Sequence, residues 1–152
     1  MSRHKLILSL IAVLGLGGLC LYINRDWFTR EPIHISHRIS PWLATRGRSP
    51  SDPRRGNPVV FSFDKYHHFS SIKVFVAADA DANKYPHAIW DLVSESNSAP
   101  TASFVYGSRI PGMSPAVKGA WADPLEPGVK YRLVVQIGDR QAQHDFAAPP
   151  RR

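Results

Sequence analysis

The chain has 152 residues and one cysteine, so it has room for a single domain of ordinary size and excludes a disulfide framework. Its formal charge of +7 does not predict a nucleic-acid-binding face, because residues 59–148 carry eight basic and nine acidic side chains. The excess of Lys and Arg lies before residue 59 and in a basic tail at residues 149–152.

Residues 6–23 form an apolar run of eighteen positions without a charge. As a helix, this run would be about 27 Å long, close to the ~30 Å hydrocarbon core of a bilayer. Tyr22 and Trp27 stand where the aromatic belt of a membrane interface is expected. The pattern therefore predicts a transmembrane helix that stays attached to the protein as a signal anchor.

Two alternatives remain open for the same run. A cleaved signal peptide has a similar basic start and apolar core, although no small-x-small cleavage site follows residue 23. Lipidation would use Cys20, although Leu19 stands where a lipobox needs a small residue. We favour the uncleaved anchor.

The charges on either side of the run predict its orientation. Arg3 and Lys5 make residues 1–5 basic, whereas Arg25 and Arg30 beyond the run are balanced by neighbouring acidic residues. The positive-inside rule then keeps residues 1–5 in the cytoplasm. Residues 24–32 become a tether on the other side. In a bacterium the expected location is the inner (plasma) membrane, crossed once, with the C-terminal domain in the periplasm.

Residues 33–148 alternate short apolar stretches with turn-rich segments and show no helical periodicity, which predicts an all-β domain. A first strand at residues 33–39 precedes a connection at residues 41–58 that is too rich in Pro, Gly and Arg for regular structure. The alternative is that residues 33–39 belong to the tether, because loops of this length are uncommon. Seven strands are expected, at residues 33–39, 59–63, 71–78, 88–93, 103–106, 129–137 and 140–146.

Residues 125–137 contain a Leu-x-Pro-Gly-x-x-Tyr arrangement formed by Leu125, Pro127, Gly128 and Tyr131. This stretch resembles the approach to the tyrosine corner of immunoglobulin-like and fibronectin type III-like β-sandwich domains. The resemblance covers this stretch and the number of strands. It implies a seven-stranded immunoglobulin-like sandwich over residues 33–148, and a structural role for Tyr131, whose hydroxyl would bond to backbone a few residues upstream.

Histidines are the only plausible metal ligands of the exported part, and the candidate set is His67, His68 and His144. Copper or zinc needs three or four donors that converge at about 2 Å, and no Cys/His pairing accompanies these residues. Surface and turn positions are the favoured interpretation. Asp79 and Asp81 lack the spacing of an EF-hand and predict a turn. Without a nucleophile elbow or a phosphate-cradling loop, we expect no enzyme, no cofactor and no small-molecule substrate.

The Pro- and Gly-rich span at residues 107–119 is expected to be an ordered, exposed loop, with Met113 and Trp121 as contact residues for a partner. The expected function is a non-enzymatic binding or structural subunit of a cell-envelope assembly, in contact with other membrane proteins. One alternative is a periplasmic metal-handling protein. Another is a carbohydrate- or peptidoglycan-binding module that uses Trp121 and Tyr106.

Overall fold

The computed structural model describes residues 3–23, 32–40 and 59–148. The chain divides into two compact units, Met1–Pro32 and Ile33–Arg152. In the described part, the first unit contains helix α1, Arg3–Ile23. The second contains one short helix, α2 at Ala77–Ala82, and eight strands: β1 Ile35–Ile39, β2 Val59–His67, β3 Ser71–Val76, β4 Ala88–Val93, β5 Thr101–Val105, β6 Ser114–Pro115, β7 Lys130–Ile137 and β8 Arg140–Ala147.

Helix α1 is, among the described residues, the one helix long and apolar enough to cross a membrane. Its 21 residues extend about 31 Å at 1.5 Å per residue. An N-terminal signal sequence has the same length and composition, so helix α1 is compatible with both the anchor and the signal-peptide interpretation. Most of the predicted tether and the basic tail, at residues 24–31 and 149–152, lie outside the described residues.

Two antiparallel sheets make up the second unit, and the predicted β architecture after an apolar helix is confirmed. One sheet has the strand order β1-β2-β5 and the other has the order β6-β4-β3-β7-β8. The sequence predicts seven strands, and the additional strand is β6, in which Ser114 and Pro115 pair with Val93 and Leu92. A strand of two residues has no periodicity of its own, so its partner strand determines its position.

The prediction that no helix follows residue 23 is wrong, because helix α2 lies at Ala77–Ala82. The expected third strand, residues 71–78, ends at Val76, and the next six residues, AADADA, form one and a half turns of helix instead of the expected turn. Alanine is the best helix former, and the Asn83 backbone N–H closes the helix on the Asp79 carbonyl at 2.9 Å. Arg132 Nη1 donates to Asp81 Oδ1 at 2.6 Å, which attaches the helix to β7.

Strand β1 belongs to the three-stranded sheet rather than to the tether. Residues 35–39 pair with residues 59–63 of β2 in a continuous antiparallel register. Ile33 and Ile35 also pack against the hydrophobic core. The first strand is therefore shorter than the predicted residues 33–39 but lies in the predicted place. The long connection predicted at residues 41–58 lies outside the described residues.

Aromatic side chains join the inner faces of the two sheets. Phe61 of β2 packs edge-on against Phe146 of β8, with ring centroids 4.9 Å apart, and Trp90 of β4 meets Phe104 of β5 at 5.9 Å. Each such pair contributes about 0.5–1.5 kcal/mol beyond the apolar area it buries. Alternate residues of β7 enter the same core, where Leu133 is fully buried. The sheets therefore pack face to face, with β4 and β8 close to opposite edges.

Candidate functional site: an apolar groove beside strand β4

The connection from residue 106 to residue 129 runs along the outer edge of β4. After the β6 pairing, the Ala116 N–H donates to the Asp91 carbonyl at 3.1 Å, and the Asp123 N–H donates to the Ile89 carbonyl at 2.9 Å. Residues 89 and 91 are two positions apart on the strand, so both carbonyls point towards the same edge. The connection therefore supplies hydrogen-bond donors to the exposed carbonyls of β4, and these hydrogen bonds give it a defined conformation.

Tyr106 holds the far end of this connection in place. Its hydroxyl donates to the Asp123 carbonyl at 2.8 Å, and its ring packs against Trp90 with centroids 5.2 Å apart. Burial, and then the charge of Asp123, raises the pKa of the Tyr106 hydroxyl, which therefore stays protonated and able to donate. The aromatic pair thus couples the end of β5 to the segment that returns along β4.

Gly112 forms a tight turn at the near end. Its φ is +80°, and an added Cβ would lie 3.3 Å from backbone atoms of Asn97, Ser98 and Ala99. The Ser94 hydroxyl donates to the Gly112 carbonyl at 2.7 Å. Only glycine fits both the left-handed backbone and the close approach of the neighbouring chain without strain.

A groove of about 960 Å³ lies between β4 and this connection. Its floor includes the buried Leu92 and Ile110, and Val117 and Trp121 on its rim are 69% and 57% exposed. Small-molecule sites in proteins are mostly apolar concavities of about 300–1,000 Å³ with a few polar groups. The groove has the size and the apolar character of such a site.

The structure brings Met113 and Trp121, the two predicted contact residues, into the lining of this one groove. Trp121 is exposed, and the Arg109 guanidinium carbon lies 5.6 Å from the centroid of its ring. Met113 is half-buried and packs against the core, so it is part of the groove wall as well as of its surface. Sequence reasoning missed Arg109 and Val117, because single polar or apolar residues in a loop carry no periodic signal.

The three histidines of the alternative metal site do not come together. His67 is buried, not at the surface, and its Nε2 lies 3.2 Å from Asp64 Oδ1; this hydrogen bond lowers the pKa of the Asp64 carboxyl. His68 Nδ1 bonds to the Ser98 carbonyl at 2.9 Å. His144 instead faces His37 of β1. In the described part of the chain, no group of three or more His, Cys, Asp or Glu side chains is arranged to hold a metal ion.

Tyr131 makes the hydrogen bond that the Leu-x-Pro-Gly-x-x-Tyr arrangement implies. Its side chain is buried, and its hydroxyl accepts from the Glu126 backbone N–H at 2.8 Å. Leu125 and Val129 on either side of the turn pack against the core. Gly128 has φ +76°, the left-handed conformation that glycine adopts without cost. These contacts therefore fix the turn through which the connection enters β7.

The chain was compared with protein-family models, with curated proteins and with solved structures, and none of them matches it. The geometry of the groove is therefore the main indication of function. Its walls offer apolar and aromatic contact surface, with Arg109 and His87 among its few basic side chains. Such a surface is suited to holding another molecule.

Proposed function

We propose that this protein is a single-pass membrane protein that presents an immunoglobulin-like domain outside the cytoplasm and binds another cell-envelope protein through the groove beside β4. It acts as a non-enzymatic binding or structural subunit. The observation that carries this proposal is the convergence of Met113 and the exposed Trp121 on one groove with hydrogen-bonded walls.

The strand order supports an immunoglobulin-like domain. In such sandwiches one sheet contains strands A, B, E and D and the other contains C, F and G. Assigning β1, β2 and β5 to A, B and E and β3, β7 and β8 to C, F and G leaves the described residues without a D strand, and it leaves β4 and β6 as additional strands beside C. The Glu126–Tyr131 hydrogen bond lies just before the proposed F strand, as it does in a tyrosine corner.

The proposed location in the inner membrane, with the domain in the periplasm, depends on helix α1. Arg3 and Lys5 at the start of this helix favour a cytoplasmic N-terminus. The apolar composition and length of the helix support insertion. A domain tethered in this way meets its partners in two dimensions, so a modest groove is sufficient for association at a high effective concentration.

The side chains around the groove favour a protein as the bound molecule. Trp, Met and Arg are enriched in the cores of protein interfaces, and Trp and Arg are frequent hot spots. Trp121, Met113 and Arg109 all line the groove. Because the backbone here is already fixed by hydrogen bonds to β4, binding does not have to order it, which lowers the entropic cost of association.

Site-specific photocrosslinking in living cells tests this function. Trp121 and Val117 are each replaced by the photoreactive residue p-benzoylphenylalanine in the full-length protein, and adducts are identified by mass spectrometry. Tyr66, which is 74% exposed on β2 and does not line the groove, is the matched control position. We expect one protein adduct from both groove positions and none from position 66. Equal adducts from all three positions, or none from positions 117 and 121, would contradict a partner site in the groove.

A carbohydrate-binding function has weaker support. An exposed tryptophan is a stacking platform for sugar rings, and Trp121 is such a residue. The other predicted platform, Tyr106, is occupied by its contacts with Trp90 and Asp123. Cosedimentation of the solubilised protein with purified peptidoglycan distinguishes the two functions. A carbohydrate site predicts that Trp121→Ala reduces cosedimentation, whereas a protein-binding groove predicts that this variant loses none.

A further inference from the structure

The rim of the groove carries a guanidinium group beside an exposed indole ring. Arg109 and Trp121 both line the groove, and the Arg109 guanidinium carbon lies 5.6 Å from the centroid of the Trp121 ring. Both side chains are exposed. A cation at this distance from an aromatic ring is attracted by the negative face of the ring. The contact therefore favours conformations of Arg109 that keep its charge at the rim.

Arg109 has no carboxylate partner among the described residues, unlike two basic side chains of the larger sheet. Arg132 donates to Asp145 from Nε and Nη2, at 2.6 and 2.9 Å, and Lys73 Nζ lies 3.3 Å from Asp91 Oδ2. In the part of the chain that the structure describes, the contact of Arg109 is the one with the Trp121 ring. Its N–H donors are therefore available to a molecule that enters the groove.

The groove does not neutralise this charge with its own acidic residues. Asp91 lines the groove but is paired with Lys73. Asp123 also lines the groove, but it is exposed, and among the described contacts it forms no ion pair with Arg109. Water therefore screens the two charges from each other.

The surface next to Arg109 is apolar. Ile110, the following residue, is buried in the floor together with Leu92, and Met113 is half-buried in the wall. Val117 on the rim is 69% exposed. A complementary molecule therefore offers apolar groups to the floor and a negatively charged group to the rim.

We propose that the groove recognises a polypeptide segment of its partner in which apolar side chains flank a carboxylate, and that this carboxylate pairs with Arg109. The inference rests on the proposed function and specifies the chemistry of the bound segment. Arginine presents its N–H groups in a planar fork that donates to both oxygens of a carboxylate. Contact with the partner would exclude water from this pair, so the pair would be stronger than an exposed ion pair.

The shape and charge of the domain favour a polypeptide over a small anion or a lipid. A small ligand is normally buried over most of its surface, whereas the rim of this groove is open to solvent at Val117 and Trp121. Residues 59–148 carry eight basic and nine acidic side chains, so the domain as a whole does not attract anions. Selection of a carboxylate therefore depends on the local pair with Arg109.

Photocrosslinking from position 117 tests this inference and leaves Trp121 intact. p-Benzoylphenylalanine at position 117 of the full-length protein is combined, in living cells, with Arg109→Gln, Arg109→Glu or Lys118→Gln. Lys118 lies on the same connection but does not line the groove, so it is the matched control for the loss of one positive charge. We expect the yield of the protein adduct to fall about tenfold in Arg109→Gln, further in Arg109→Glu, and not at all in Lys118→Gln.

A charge reversal then identifies the carboxylate. Mass spectrometry of the adduct locates the crosslinked peptide of the partner, and its Asp or Glu is replaced by Arg. This replacement should restore the adduct in Arg109→Glu. An adduct yield that does not depend on Arg109, or a crosslinked peptide without an acidic residue, overturns the inference and leaves the proposed function in place. No adduct, or an adduct with lipid alone, overturns both. If an Arg109 variant is unfolded, the composition of the crosslinked peptide decides.

Discussion

The backbone N–H of Glu126 donates to the hydroxyl of Tyr131 across 2.8 Å, and the Tyr131 ring lies against Phe146 with centroids 5.7 Å apart. The residue therefore combines a buried ring with a hydroxyl that satisfies the turn before β7. Removing the hydroxyl would leave the Glu126 N–H without this acceptor, whereas the ring packing would be unchanged.

Tyr131→Phe is expected to lower the free energy of unfolding by about 1–3 kcal/mol. Urea unfolding of the domain at residues 33–148 measures this change. Tyr85→Phe is the matched control, because Tyr85 is 85% exposed and its substitution should change stability by less than about 0.5 kcal/mol. An unchanged urea midpoint in Tyr131→Phe would remove the structural role of this hydroxyl.

Trp121→Ala should separate binding from stability. Trp121 is 57% exposed, so we expect its removal to change the free energy of unfolding by less than about 0.5 kcal/mol while partner capture falls. Met113→Ala should cost more, about 1–2 kcal/mol, because Met113 packs against the core. Urea unfolding and crosslinking yield of the same preparations provide both quantities. If Trp121→Ala unfolds the domain, this residue is structural and the binding surface lies elsewhere.

Two glycines of the groove test how closely its wall is packed. Gly112 and Gly119 have φ values of +80° and +82°, so an alanine at either position is strained by about 1–2 kcal/mol. An added Cβ at Gly119 meets nothing within 4 Å, but at Gly112 it lies 3.3 Å from three backbone atoms. Gly112→Ala should therefore be the more destabilising variant in urea unfolding. Equal losses of stability would mean that the backbone contacts at Gly112 are loose.

The pair formed by His37 and His144 predicts a loss of stability in acid. The pKa of His144 is lowered from its usual 6.5, by burial first and by His37 second, and Asp145 partly opposes this shift. Below pH 6.5 the unfolded chain therefore takes up a proton more readily than the folded one, so stability falls as pH drops from about 6.5 through the folded pKa. The stability difference between wild type and His144→Gln, measured by urea unfolding in EDTA, should shrink between pH 7.5 and 5. A constant difference would contradict this titration.

The apolar helix predicts an uncleaved anchor. Intact-mass measurement of the protein extracted from membranes should give a mass that includes residues 6–23. A mass that begins near Asn24, or near a lipid-modified Cys20, would show processing instead. If the positive-inside rule predicts the orientation correctly, protease added to intact spheroplasts should digest the domain.

The strands that sequence reasoning found share one property, a pattern contained in a few neighbouring residues. The alternation in β3 and the apolar run at the start of β2 are of this kind, and both lie where they were expected. Helix α2 was missed because six residues are too few for helical periodicity, and the strand before it continues into alanines that fit either conformation. The hydrogen bond of Tyr131 is implied by the resemblance to a tyrosine corner, and its donor and acceptor are five positions apart in the chain.

The sequence by itself determined the apolar helix, the β character of the domain and the turn at Tyr131, because backbone conformation follows from residues close together in the chain. Only the tertiary structure decided that residues 87–92 and 107–123 enclose one groove. It also decided that His37 meets His144 across 107 positions of sequence. Such contacts depend on which strands are neighbours and in what register, and this information is distributed over the whole core rather than encoded in any local pattern.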